Sequence, residues 1–170
     1  VKRNGEFTVN IALIFKGNPI IGVIYVPVKE ELYFAKEGLG SFKISQNTMI
    51  SNLDELISKS NKLPIDYNRK SYVLVGSRSH MSIETKKYFE EKKKLHNNIE
   101  VMAIGSSLKL CMVAEGIADA YPRYAPTMEW DTAAGHAILR YAGFSVKQYN
   151  TSKDLVYNKE NLLNPWFLVS

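Results

Sequence analysis

Hydrophobic and polar positions change rhythm near residue 70. Before it, apolar residues alternate or run in short β-branched stretches punctuated by glycine and proline, the pattern of strands joined by tight turns. Residues 7–15 (Phe-Thr-Val-Asn-Ile-Ala-Leu-Ile-Phe) set Val9, Ile11 and Leu13 on one face of a strand. Lys16-Gly17-Asn18-Pro19 is a turn signal, residues 20–26 form a second strand stopped by Pro27, and residues 32–36 and 41–44 form a third and a fourth. Together they predict an antiparallel meander. A short helical turn is expected at 54–62, within a polar connector that runs to Arg69.

After the connector the pattern alternates between strand and helix. Tyr72-Val73-Leu74-Val75 is a continuous apolar run of the kind buried in an α/β sheet. A charged helix follows at 82–95, a strand at 100–104, and a helix from Ser107 to Glu115 with Leu108, Cys111 and Met112 inward and Gly116 as its stop. A strand at 118–121 leads through two prolines to a helix at 131–142, which buries Ala134, Ile138 and Tyr141. Strands at 144–149 and 166–169 close the chain. The expected fold is a layered α+β and α/β arrangement. Residues 1–70 form the end of an N-terminal α+β half, and residues 71–170 form a C-terminal α/β half.

Composition narrows the function classes. The 170 residues are 45% hydrophobic and 23% charged, as in a globular chain, and no apolar run approaches the ~20 residues of an integral membrane segment. One cysteine, Cys111, excludes an internal disulfide and suits a reducing, cytoplasmic location, peripheral to the inner membrane at most. The net charge of +5 suits an anionic ligand. Lys92, Lys93 and Lys94 are balanced by Glu90 and Glu91, and basic residues are not interleaved with aromatics. A small-molecule partner is therefore expected rather than nucleic acid. The chain opens on Val1, not Met, a few residues ahead of a strand. It is expected to be the C-terminal part of a longer protein, with one face of the meander uncovered.

Three polar clusters follow three strands: 76–80, 105–109 and 123–131. Ligands of α/β sheets bind beyond strand carboxyl ends, near helix N-termini. One sheet edge would then gather Arg78, His80, Ser106, Ser107, Lys109, Arg123 and Asp131, the groups a phosphorylated ligand needs. Asp131 would hold a divalent metal. Ala133, Ala134 and Gly135 would keep the start of that helix sterically open for the ligand. Plainer roles stand beside these. Asp131 and both serines suit helix N-caps, and Lys109 suits a lysine snorkelling from an apolar helix. His80 suits a loop, His136 packing, Cys111 a buried hydrophobe and Trp130 a core anchor. Zinc-ligand spacing, a P-loop and a Gly-x-Ser-x-Gly elbow are absent from the sequence. A two-metal phosphatase needs several carboxylates, and the second half offers only Glu129 and Asp131 near this edge.

The segment Gly105-Ser106-Ser107-Leu108-Lys109 through Gly116, then Ala118-Asp119-Ala120-Tyr121-Pro122-Arg123, then Pro126-Thr127-Met128-Glu129-Trp130-Asp131-Thr132-Ala133-Ala134-Gly135-His136, resembles the 3′(2′),5′-bisphosphate nucleotidase (CysQ) branch of the inositol monophosphatase superfamily. Ser77-Arg78-Ser79-His80 and Leu163-Asn164-Pro165-Trp166-Phe167 fit the same branch. Residues 2–13 resemble the segment that follows the family's Asp-Pro-Leu-Asp-Gly-Thr motif. The resemblance implies an αβαβα sandwich and Mg²⁺-dependent, lithium-sensitive hydrolysis of adenosine 3′,5′-bisphosphate to AMP and phosphate, in sulfate assimilation. It implies Asp131 as a metal ligand and Ser106, Ser107, Lys109, Arg123 and His80 as substrate contacts. The family's upstream metal-ligating Glu, and the Asp and Thr of its motif, have no counterpart in these residues, so the 170 residues are expected to be inactive alone. A homodimer is the expected oligomer. The alternatives are a phosphatase of another sugar or inositol phosphate, a non-catalytic nucleotide- or RNA-binding module, and a structural fragment.

Overall fold

The computed structural model describes residues 5–45, 49–76 and 81–170. The predicted meander is present as β1 (Val9–Phe15), β2 (Asn18–Val26), β3 (Glu31–Lys36) and β4 (Gly40–Ser45), antiparallel in chain order. The expected helix at 54–62 is shorter. Helix α1 (Leu53–Ser58) is capped by Asn52, whose side chain accepts from the Glu55 amide at 2.9 Å. The next residues then straighten into β5 (Asn61–Lys62), which pairs with Phe42 and Lys43 and adds a fifth strand. Sheet pairing overrides the local helical pattern there.

The second layer begins with β6 (Tyr72–Gly76), α2 (Ile83–Leu95), the parallel β7 (Ile99–Ala103) and α3 (Leu108–Glu115). Then come β8 (Tyr121–Arg123), α4 (Glu129–Tyr141), β9 (Val146–Gln148) and β10 (Phe167–Val169), ordered β8-β10-β9 and antiparallel. A parallel bridge between Leu74 and Ala120, with the Val75 amide donating to the Ala120 carbonyl at 2.9 Å, joins these strands to β6. The strand expected at 118–121 is displaced to 121–123, which places Arg123 on a strand rather than in a loop. Among the described residues no helix is long and apolar enough to cross a membrane.

Helix α4 lies on the five-stranded sheet and beside α3. Its small residues make that approach possible. A Cβ on Gly22 of β2 would sit 2.3 Å from the Ala134 carbonyl oxygen, and one on Gly135 would sit 2.4 Å from Leu110 Cδ1. Ala134 and Gly135 therefore serve close packing, against β2 and α3 respectively, while Ala133 and Ala134 also line a cavity beside β1. One core cluster draws Ile24, Val26 and Tyr33 from the meander and Val73, Val75, Leu110 and Ile138 from the second layer. The halves on either side of residue 70 thus share a core. Cys111 is buried within it, and burial drives its thiol pKa well above the usual range.

Charge is buried at the far end of α3. The Glu115 carboxylate accepts from Tyr33 (2.7 Å), Tyr67 (2.5 Å) and Lys43 (2.9 Å), while Lys43 also pairs with Glu31 at 3.0 Å. A carboxylate this buried is tolerable because its oxygens are donated to from several sides. On the outer face of the meander, Val9, Ile11, Leu13 and Phe15 of β1 are each at least half exposed. The row that period-2 patterning sets on one face thus faces outward, and Asn10, Ala12 and Ile14 lie on the half-buried face.

Gly22→Ala is expected to destabilise the full-length protein by about 1–3 kcal/mol, the usual range for overpacking. Urea unfolding should show the midpoint falling, and an unchanged midpoint would refute the close approach of α4 to β2.

Candidate functional site

Three segments converge on a cavity of about 270 Å³: the start of β1, the loop into α3, and the stretch from β8 to the start of α4. Phe167 of β10 and Leu110 of α3 supply apolar wall, and Ser106, Ser107, Lys109, Arg123 and Asp131 supply chemistry. Five of the expected site residues therefore line one space. His80, with the rest of 77–80, lies outside the described residues.

The loop into α3 is held in an unusual shape. Ser106 has φ of +54°, the left-handed region that a side chain adopts at some cost. Lys109 offsets that cost by donating to the Ser106 carbonyl at 2.8 Å and the Ile104 carbonyl at 3.2 Å. Lys109 is thus buried and clamps its own loop, rather than snorkelling to solvent. Its ammonium also lies 5.6 Å from the centre of the Tyr121 ring, a cation–π distance. Tyr121 is itself buried, and desolvation pushes its hydroxyl up to about 12. Ser107 occupies the N-cap position of α3 without a side-chain cap bond. Its hydroxyl is committed to β1 instead, lying 2.7 Å from Thr8 Oγ1 and donating to Asn10 Oδ1 at 2.9 Å. The Gly105 amide donates to Glu6 at 2.6 Å, a further tie across the same seam.

Asp131 is not the N-cap of α4. The helix begins at Glu129, and Asp131 stands in its first turn with Oδ2 accepting from the Met128 amide at 2.9 Å. That bond fixes its carboxylate at the cavity. Glu129 points elsewhere: its carboxylate accepts from the Asn158 amide at 2.7 Å and pairs with Lys159. Burial opposes ionisation of Glu129, but Lys159 and the backbone donors hold its pKa below the ordinary value. Trp130, expected as a core anchor, is 60% exposed, because its helix position faces away from both layers. Arg123 donates from Nη2 to the Pro126 carbonyl at 2.9 Å, which ties the strand end to the proline loop. Its Nε is buried without a hydrogen-bond partner among the described residues.

Behind the cavity lies a buried polar network. Asn164 Nδ2 donates to the Met128 carbonyl and to Thr132 Oγ1, both at 2.9 Å. Tyr157 reaches Thr132 Oγ1 at 3.4 Å and stands 3.0 Å from His136 Nδ1. His136 is a packing residue, as expected: it is 2% exposed, and burial lowers its pKa to about 4. Residues at or beside the cavity that the sequence does not single out are Asn10, Thr8, Thr127 and Asn164, while Thr132, at the small-residue helix start, lines it. The available signal was a polar residue at an inward strand position, Asn10, and the asparagine of Asn164-Pro165.

The described residues contain no group of three or more His, Cys, Asp or Glu placed to hold a metal ion. Asp131 fits as one oxygen ligand, but one carboxylate does not meet the demand of a divalent cation for six or more oxygens. The arrangement within the chain is a cationic, hydroxyl-rich pocket with one acid. That suits an anionic, phosphorylated ligand.

The model of the inositol monophosphatase family matches residues 1–166. This chain belongs to the inositol monophosphatase family. Within that family it is similar to the 3′(2′),5′-bisphosphate nucleotidase CysQ of Escherichia coli K12, 43% identical over 171 residues covering 100% of this chain and 62% of that protein. The CysQ of Buchnera aphidicola is 39% identical over 173 residues, covering 100% of this chain and 59% of that protein. The crystal structure of CysQ from Bacteroides thetaiotaomicron superposes with a TM-score of 0.94 at 55% identity, covering 99% of this chain and 64% of that one. Inositol monophosphatase-II from Staphylococcus aureus MSSA476 shares the fold, with a TM-score of 0.66 at 20% identity over 98% of this chain and 58% of that one. The chain thus spans about three fifths of the length of these inositol monophosphatase-family relatives.

A histidine buried neutral gives a signed pH dependence. The unfolded chain binds a proton at His136 near its ordinary pKa of 6.5, and the folded chain only near 4. Its contribution is therefore intact above 6.5 and lost as pH falls toward 4. Between pH 7 and pH 5 this costs about 2 kcal/mol. Urea unfolding of the full-length protein should show that loss, and His136→Asn should remove most of it. An identical pH slope in both proteins would refute the assignment.

Proposed function

We propose that the protein is a phosphomonoesterase that hydrolyses adenosine 3′,5′-bisphosphate to AMP and phosphate, using Mg²⁺, in the cytoplasm. The observation that carries this is the convergence of Ser106, Ser107, Lys109, Arg123 and Asp131 on one cavity. The similarity to proteins named 3′(2′),5′-bisphosphate nucleotidase supports it. In this proposal Ser106 and Ser107 contact the nucleotide and its phosphates through backbone N–H groups at the start of α3, the Ser107 hydroxyl proton being given to Asn10, and Arg123 contacts them through its guanidinium, with His80 near the base or ribose. Lys109 holds the Ser106 loop and supplies positive charge close behind it. Residues 1–70 and 71–170 act as the two halves of a larger sandwich, and the cavity lies where they meet.

Asp131 is the residue of this chain that would serve as a metal ligand, its carboxylate oriented by the Met128 amide. A bound divalent cation would supply charge neutralisation at the phosphoryl group and an activated water. The chain's own residues bind and orient: the clamped loop and Arg123 fix the phosphates, and Phe167 and Leu110 keep the inner wall dry.

In a phosphate-release assay with Mg²⁺, the full-length protein should prefer adenosine 3′,5′-bisphosphate over inositol 1-phosphate and fructose 1,6-bisphosphate. Arg123→Ala should raise KM by about tenfold or more, equivalent to about 1.4 kcal/mol. The isolated 170 residues should release no phosphate. A preference for the inositol phosphate would sink the substrate assignment, and activity of the isolated 170 residues would sink the single-ligand account of Asp131.

A further inference from the structure

Six of the seven residues of β1 are apolar, and Asn10 is the exception. It lies on the face shared with Ala12 and Ile14, which turns toward α4, and it lines the cavity. A polar side chain in a half-buried position is costly unless its groups are paired. Asn10 Oδ1 is paired, accepting from Ser107 Oγ at 2.9 Å. Ser107 Oγ is also 2.7 Å from Thr8 Oγ1, and Thr8 Oγ1 is 2.7 Å from Ser106 Oγ.

A hydroxyl has one proton to give. Ser107 gives its proton to Asn10, so it must accept from Thr8. Thr8, having given its own, must accept from Ser106. The run of hydroxyls has a single direction, Ser106 to Thr8 to Ser107 to Asn10. It ends on the amide oxygen of Asn10, which faces Ser107. The two N–H donors of Nδ2 are left over, and among the described residues no partner takes them.

We propose that Asn10 is a substrate-contacting residue that donates Nδ2–H to a phosphoryl oxygen held in this cavity, its amide oriented by Thr8 and Ser107. Phosphoryl oxygens accept only, so an amide locked as a donor selects for them and against a donor group in the same place. Lys109 and Arg123 draw the same anionic group to the cavity. This rests on the phosphomonoesterase reading for the identity of the substrate, but not for the contact itself.

The test is Asn10→Asp in the full-length protein. Aspartate keeps an oxygen for Ser107 to donate to, and replaces the donor with an anionic oxygen. Expected are a KM for adenosine 3′,5′-bisphosphate raised about tenfold or more, kcat changed far less, and weakening of the thermal protection given by inorganic phosphate by a similar factor. The melting temperature without phosphate should stay within about 2 °C of wild type. Wild-type KM and phosphate protection in Asn10→Asp would overturn the proposal and leave Asn10 as a prop for Ser107. Should Asn10→Asp not fold, Asn10→Ser, too short to reach the substrate, is read the same way. A wild type that does not hydrolyse the nucleotide would sink the enzymatic reading alone. The phosphate titration would still decide Asn10: weakened protection in the variant supports it, and equal protection, or none in the wild type, overturns it.

Discussion

The close seat of α4 is the constraint on which the other arrangements depend. A helix can come this near a sheet only where side chains are small or missing, and here they are so on both partners, at Gly22 and at Ala134 and Ala137, while Gly135 makes room for Leu110 of α3. Close packing of this kind forfeits little dispersion energy and leaves no room for slippage. It sets the helix N-terminus, with Asp131 and Thr132, level with the start of β1 and the loop into α3. The cavity is what remains between three elements whose spacing is fixed elsewhere.

The polar groups around it follow from that spacing. Four polar residues lining the cavity are tied by hydrogen bonds within the chain: Asp131 to the Met128 amide, Arg123 to the Pro126 carbonyl, Lys109 to two carbonyls of its own loop, Ser107 to β1. Buried Asn164 and Thr132 stiffen the wall behind. Such ties lower the entropy that a ligand must remove on binding, because the receiving groups are already ordered.

Much of this was legible in the sequence, for reasons that differ by residue. The meander could be read because alternation and turn residues are local signals, and its strands stand within two residues of expectation. The strand β5 could not, since two residues carry no period and pair only because Phe42 and Lys43 are beside them. Ser106, Ser107, Lys109, Arg123 and Asp131 could be gathered from their common position after strands. The burial of Lys109 could not be foreseen, because it depends on Tyr121 and on a left-handed Ser106. Small residues look alike whether they admit a ligand or a neighbouring element, and at Ala134 and Gly135 the close neighbours are β2 and α3. Asn10 is a lone polar residue within an apolar strand, and its placement depends on Ser107 from a loop distant in sequence.

Helix α3 is anchored at both ends by different chemistry. Hydroxyls and backbone carbonyls hold its beginning, and the Glu115 carboxylate with Tyr33, Tyr67 and Lys43 holds its end. All eight of its residues are buried. A helix buried along its length and bonded at both tips holds those tips at a set spacing. Tyr33 lies on β3, the central strand of the five-stranded sheet, so α3 ties the middle of that sheet to the turn at Ser106 that lines the pocket.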